Sequence, residues 1–120
     1  MTRKLKKIQL TISCNATNNT VPATPPTVNL NGFLKGVKIK TPASVDSSAT
    51  VTVTVADTDG DNVYSKTGVA ANTTNIEYQD SNHVPTQVPV SGVHTITPTF
   101  SANQTVARNV IVTLLVDSFL

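Results

Sequence analysis

Strict alternation of valine and threonine in residues 50–56 is the feature that most constrains what this chain can fold into. The segment reads TVTVTVA, which has the two-residue period of a β-strand with one buried face. The preference extends over the whole chain, because Thr, Val and Ile fill 43 of the 120 positions. These β-branched side chains fit a pleated surface better than a helix, so the sequence argues against an all-helical protein and predicts an all-β fold.

Further strands are predicted at short spacing, in residues 5–14, 33–40, 62–66, 76–79, 94–100 and 110–116. Residues 84–90 contain Pro85 and Pro89 and are predicted to be an edge strand or irregular, because proline cannot donate to a ladder. Asp59 and Gly60 predict a tight hairpin turn that places Val55 opposite Tyr64. Together these patterns are typical of an antiparallel β-sandwich, immunoglobulin-like or jelly-roll-like.

The final strand is apolar on both faces. One predicted face holds Val110, Val112, Leu114 and Val116, and the other holds Ile111 and Leu115. A strand of this kind is normally buried on both faces. The second face therefore needs a cover, which is either the N-terminal segment or another chain.

The N-terminal region has a different composition from the remainder. Ile8, Leu10, Ile12 and Cys14 alternate with polar residues and predict a strand or docking arm, and residues 15–31 form a linker rich in Asn, Thr and Pro. We therefore predict two parts: residues 1–31 as a basic strand or extended arm with its linker, and residues 32–120 as the sandwich domain.

Charge is divided along the chain. The first 40 residues carry seven basic residues and no acid, whereas the remainder carries seven acids and two basic residues. Such polarity suits an acidic protein surface, head-to-tail contact with a copy of the chain, or non-specific contact with nucleic-acid phosphates; the alternative is a solvated basic tail. No apolar run approaches the roughly 18 residues of a membrane span, so no membrane partner is expected.

Cys14 is the single cysteine, so no internal disulfide or cysteine-rich zinc site is available. This composition is typical of a protein made in a reducing cytoplasm. The basic residues before Ile8 resemble the start of a signal peptide, but Gln9 and Thr11 interrupt the apolar stretch that such a signal needs. We therefore expect the N-terminal residues to be retained and the protein not to be secreted.

Asp57, Asp59 and Asp61 form the only cluster with ligand-like spacing. Alternate carboxylates could bind calcium, but a hairpin turn is the favoured interpretation, because Asp-Gly between alternating strands is a strong hairpin signal. His83 and His94 match no zinc spacing. The chain also has no nucleophile elbow or phosphate-binding glycine loop, so we predict no enzymatic activity and no cofactor.

Residues 36–40 (GVKIK), 50–68 (TVTVTVADTDGDNVYSKTG) and 95–100 (TITPTF) resemble small β-sandwich virion proteins of tailed bacteriophages. The resemblance covers residues 32–120 and implies a head decoration, neck or accessory subunit that is made in the host cytoplasm and located in the virion. It also implies binding in many copies to other virion proteins or to itself. The predicted interface combines the basic arm with apolar residues of both terminal strands: Arg3, Lys4, Lys6, Lys7, Ile8, Leu10, Ile12, Ile111, Leu115, Phe119 and Leu120.

A monomeric surface-recognition or carbohydrate-binding module is the alternative hypothesis. Its binding loops would be residues 72–75 and 80–83. Sugar platforms usually use exposed aromatic side chains, and the chain has no Trp and only two tyrosines, Tyr64 and Tyr78.

Overall fold

A computed structural model describes residues 4–77 and 88–118, with the backbone alone for Lys4. Within these ranges the chain forms seven β-strands and no helix. Every strand pairing is antiparallel, so the all-β antiparallel class is confirmed. The strands are β1 (Lys4–Cys14), β2 (Thr27–Lys40), β3 (Val51–Ala56), β4 (Asn62–Val69), β5 (Thr74–Glu77), β6 (Val88–Phe100) and β7 (Arg108–Ser118).

Hydrogen bonding links all seven strands into one sheet with the order β1-β7-β2-β6-β3-β4, and β5 pairs with β2. The long strands β2 and β6 each pair with strands on both edges, which joins the others into one sheet. Thr95 of β6, for example, lies opposite Thr27 of β2 on one edge and Ala56 of β3 on the other. Two separate sheets, as the predicted sandwich would have, are therefore not distinguished by the hydrogen bonding.

The sheet folds over itself around one core. Cys14 of β1 contacts the carbonyl oxygen of Pro98 in β6 at 3.8 Å, although β7 and β2 lie between these strands in the sheet order. Alternate residues of the strands point into the enclosed space, as the two-residue period requires. Burial was predicted for both faces of β7, and it is confirmed for the face whose four side chains are at most 2% exposed: Val110, Val112, Leu114 and Val116. Ile111 and Leu115 on the other face are half-buried.

The N-terminal segment is part of this sheet and is not an extended arm. β1 pairs with β7 of the same chain along its full length. The following segment lies along β6: the N–H of Ile96 donates to Pro26 O at 3.0 Å, and the N–H of Phe100 donates to Thr20 O at 2.9 Å. The supposed linker is thus held by its own chain, because it supplies acceptors to the β6 edge beyond the end of β2.

The predicted boundary between residues 31 and 32 falls inside β2. This strand begins at Thr27, and Leu30 is 1% exposed in the common core. Ile12 and Cys14 of β1 belong to the same core. Residues 4–31 therefore contribute to one folded unit with the rest of the described chain.

Gly32 lies where β2 changes partners. It pairs with Val90 of β6 on one edge and with Ser118 of β7 on the other. Its φ is +130°, and a Cβ here would overlap the carbonyl oxygen of Asp117. Because only glycine adopts this conformation readily and lacks that atom, Gly32 permits the close approach of β2 and β7.

Candidate interaction surface

The outward face of β1, β7 and β2 brings together lysines and apolar side chains. Residues directly opposite each other on antiparallel strands share a face of the sheet. Leu115 of β7 lies opposite Lys7 of β1, and Ile111 lies opposite Lys40 of β2. Lys38 is opposite Thr113, which lies between Ile111 and Leu115 on β7. We call this surface the lysine face and define it as Lys7, Lys38, Lys40, Ile111 and Leu115.

The lysine face is open and partly apolar. Lys7 and Lys40 are exposed, whereas Lys38, Ile111 and Leu115 are half-buried. Ile76 of β5 lies opposite Lys38 and extends the apolar area, with 52% of its surface exposed. This combination of lysine charge and exposed apolar surface suits contact with another macromolecule better than capture of a small molecule, which needs a concave pocket.

The charges of Lys7, Lys38 and Lys40 have no ion-pair partner among the described residues. Four other charged groups in those ranges form ion pairs: Lys66 with Glu77 at 3.5 Å and Arg108 with Asp46 at 3.3 Å. Lys35 and Asp117 also have interaction partners. The lysine face therefore retains a net positive charge that is available to an external partner.

The predicted interface residues divide between two faces of the sheet. Lys7, Ile111 and Leu115 lie on the outward face, whereas Ile8 and Leu10 pack against the core and Ile12 is 3% exposed. Ile12 is therefore a core residue, because its register with Val110 points it inward. Lys6 is exposed. Only the backbone of Lys4 is described, and Arg3, Phe119 and Leu120 lie outside the described residues.

Sequence reasoning left Lys38 and Lys40 out of the interface. The sequence does indicate that both lysines face outward, because they alternate with Val37 and Ile39, which are 0% exposed. Their place beside Lys7 depends on β7 pairing with both β1 and β2. That pairing joins residues distant in sequence and has no local signature.

β1 also presents a sheet edge. Among the described residues it pairs with β7 alone. An edge strand offers free N–H and C=O groups to another chain, and lysines on such a strand limit unselective pairing. A groove of about 270 Å³ borders its second half, between residues 11–15 and 22–26, and neutral side chains line it.

The Asp57 cluster forms the β3–β4 turn. The carboxylate oxygen Oδ1 of Asp57 accepts hydrogen bonds from the N–H groups of Asp59 and Asp61, both at 3.0 Å. The predicted pairing of Val55 with Tyr64 is confirmed, but a bulge places Ala56 opposite Asn62, so the turn spans residues 57–61. No three His, Cys, Asp or Glu side chains in the described ranges are grouped to hold a metal ion.

The side chains of Cys14, Tyr64 and His94 lie in the interior. Burial raises the pKa of the Cys14 thiol to about 11, which keeps it protonated and unreactive at neutral pH. Tyr64 is 8% exposed, and burial, then the charge of Glu77, raise its pKa above the usual range. His94 is 1% exposed, with Nδ1 2.9 Å from Gly92 O. His83 and Tyr78 lie outside the described residues.

A buried polar cluster joins two loops at one end of the sheet. Gln104 is 4% exposed; its Oε1 accepts from the N–H of Asp46 at 2.8 Å, and its Nε2 donates to Ala102 O at 3.1 Å. The Asp46 carboxylate accepts from the N–H of Thr105 at 2.6 Å. Hydrogen bonding from Thr105, with a smaller effect of the Arg108 charge, lowers the pKa of Asp46. The hydrogen bonds of Gln104 and Asp46 join the two loops, so both side chains contribute to the fold.

A second groove, about 390 Å³, lies between residues 43–50 and 70–71. Small Ala and Ser side chains dominate its lining, and no ionisable side chain contributes. The described part of the chain also contains no helix long and apolar enough to cross a membrane.

No protein-family model matches the chain, and no curated protein sequence matches it.

Proposed function

We propose that this protein is a non-enzymatic structural subunit that binds neighbouring subunits through the lysine face and the adjoining edge of β1. The observation that carries the proposal is the set of lysines without ion-pair partners among the described residues, beside partly exposed apolar side chains on one face of the sheet. In keeping with the resemblance of residues 32–120, the subunit is a head decoration, neck or other accessory protein of a tailed-bacteriophage virion. It is made in the host cytoplasm and located in the particle.

The interior of the molecule supports a structural function over a catalytic one. Catalysis by a side chain requires a nucleophile or a proton-transferring group that substrate can reach. Cys14, Tyr64 and His94 are instead buried in the core. Asp46 and Glu77 form ion pairs with Arg108 and Lys66, so these carboxylates contribute to the fold.

The surface chemistry supports assembly with several neighbours. Exposed ion pairs contribute only about 0.2–1 kcal/mol each, so three lysines alone would bind weakly. Ile76, Ile111 and Leu115 add apolar area, and backbone groups of β1 can extend a neighbouring sheet. Many copies on a particle then strengthen weak individual contacts through a high effective concentration.

Incorporation into particles tests the proposal. Deleting β1 would be a poor test, because Ile12 and Cys14 belong to the core. The triple variant Lys7→Ala/Lys38→Ala/Lys40→Ala removes three positive charges from the outward face. We expect its copy number per purified phage particle, measured by quantitative mass spectrometry, to fall at least about tenfold, with an unchanged circular dichroism spectrum.

A matched control lowers the net charge equally at other exposed positions. Thr27→Glu/Thr67→Glu/Ser91→Glu changes exposed residues of β2, β4 and β6 and should leave incorporation unchanged. Undiminished incorporation of the triple alanine variant would refute binding through the lysine face. Absence of the wild-type chain from particles would refute the virion assignment.

A further inference from the structure

The unpaired charges of the described residues are segregated on the sheet. Once the intramolecular ion pairs are set aside, lysines remain on β1 and β2, and aspartates remain on the β3–β4 turn, residues 57–61. In the sheet order, β1 and β4 lie at opposite ends. Among the described residues, the lysines and aspartates without ion-pair partners therefore lie on different elements of the sheet.

The β3–β4 turn presents its carboxylates on an ordered support. Asp59 and Asp61 are exposed, and neither carboxylate has a partner among the described residues. The turn is fixed by Asp57, whose Oδ1 accepts from both of their N–H groups and whose carbonyl accepts from the N–H of Gly60 at 3.1 Å. Because the backbone is held in this way, the turn loses little conformational freedom on binding.

The spacing of two lysines on β2 is similar to the spacing of two aspartates in the β3–β4 turn. Lys38 and Lys40 are two residues apart on one face of β2, which separates their Cα atoms by about 7 Å. Asp59 and Asp61 are also two residues apart, so their Cα atoms lie within about 7 Å of each other. Each aspartate can therefore face one lysine at the same time, with long lysine side chains adjusting the contact.

We propose that the partner of the lysine face is a second copy of this chain, whose β3–β4 turn docks between Lys38 and Lys40. This inference rests on the proposed function and names the partner for it. The turn covers the apolar surface of Ile111 and Ile76 next to these lysines. Each copy offers both surfaces, so the contact repeats from copy to copy.

The contact is heterologous, because it joins two different surfaces of the same chain. Lysine faces repel each other, which disfavours direct pairing of two like surfaces. Heterologous contacts close into rings or continue as open chains. Solvent-exposed ion pairs dominate the interface, so association weakens as salt shortens the range of the charges.

A reciprocal charge reversal tests the inference. One variant is Lys38→Glu/Lys40→Glu and the other is Asp59→Lys/Asp61→Lys, and both change exposed or half-exposed surface positions. Sedimentation velocity at about 20 mM salt should show each variant alone associating at least about tenfold more weakly than wild type. An equimolar mixture should regain wild-type association within about threefold, because each unchanged surface meets its partner and the reversed surfaces match each other.

Four outcomes would overturn the inference. The wild-type chain could remain monomeric at low salt at every concentration tested. Reversal at Asp59 and Asp61 could leave association unchanged, or the mixture could fail to recover. If short duplex DNA bound the wild type and not Lys38→Glu/Lys40→Glu while self-association stayed the same, the lysine face would be assigned to phosphate contact instead.

The particle experiment separates this inference from the proposed function. If the triple alanine variant is lost from particles but the charge-reversed mixture does not associate, the lysine face binds a different neighbour. If the triple alanine variant is incorporated normally while the mixture associates, the self-contact exists but does not serve incorporation.

Discussion

Replacing Gly32 by alanine tests the close approach of β2 to β7 on which the continuous sheet depends. Gly32 pairs with Val90 on one edge and Ser118 on the other, so neither strand can move without disturbing the ladder. The added methyl group would overlap the Asp117 carbonyl oxygen and lie 3.1 Å from the Cα of Ser118. We expect Gly32→Ala to force β2 and β7 apart at this point.

Two effects set the size of the destabilisation. The positive φ of Gly32 costs about 1–2 kcal/mol in a residue that has a Cβ. The collision is with backbone atoms, which cannot rotate away, and such overpacking costs about 1–3 kcal/mol. The sum, about 2–5 kcal/mol, is a large share of the roughly 5–15 kcal/mol by which a domain is usually stable.

Gly92→Ala is the matched control, because Gly92 also lies in a strand with a positive φ, +91°, but no atom lies within 4 Å of its Cβ position. It should show the backbone effect alone. Equilibrium unfolding in urea measures both variants. With an m-value of about 1–3 kcal/mol/M, a difference of about 2 kcal/mol lowers the Gly32→Ala midpoint by about 1 M relative to the control. Equal midpoints for the two variants would refute the steric reasoning.

Three further predictions concern individual side chains. Leu114→Ala should lower the unfolding free energy by about 2–5 kcal/mol. Leu115 lies on the outward face, so Leu115→Ala should lower it by about 1 kcal/mol or less. Similar losses for the two variants in urea unfolding would contradict the assigned faces. The raised pKa of Cys14 means that its stabilising contribution is complete below pH 9.0 and is lost as pH rises through about 11. Unfolding titrations should therefore show a decline over this window that Cys14→Ala lacks, and identical pH profiles would disprove it. The lowered pKa of Asp46 predicts the opposite pH dependence: its stabilising contribution is present above pH 3.8 and is lost as pH falls through the lower folded-state pKa. The variant Asp46→Asn should therefore lack this acid-dependent loss of unfolding free energy. An unchanged acid transition would show that Asp46 does not stabilise the loops.

Elements with local signals could be predicted from the sequence. The β3–β4 hairpin follows from the alternation around Val53 and from the Asp-Gly turn, and its Val55–Tyr64 register is confirmed. β1 was predicted in residues 5–14 and spans Lys4–Cys14. The two faces of β7 also follow directly from the spacing of its apolar residues. In each case neighbouring residues carry enough information to fix the strand and its faces.

Elements stabilised by distant partners could not be predicted. The first half of β2, from Thr27, contains Asn29 and Asn31 and forms a strand because β6 pairs with it. Similarly, β6 continues through Pro89 and Gly92, which are weak strand formers in isolation. The lysine face is a consequence of the same kind of pairing, because Lys7 and Lys38 are separated along the chain and meet only through β7.

The central place of β7 affects how the protein is made. β1 and β2 run parallel to each other, because each is antiparallel to β7, which lies between them. On the ribosome, the place between β1 and β2 stays empty until β7 has been synthesised. The nascent chain therefore carries an unpaired edge on β1 and another on β2. Completion of the sheet therefore requires pairing between strands that are distant in sequence, and folds dominated by such pairs fold slowly. Lysines next to those edges reduce their aggregation with other nascent chains during this interval.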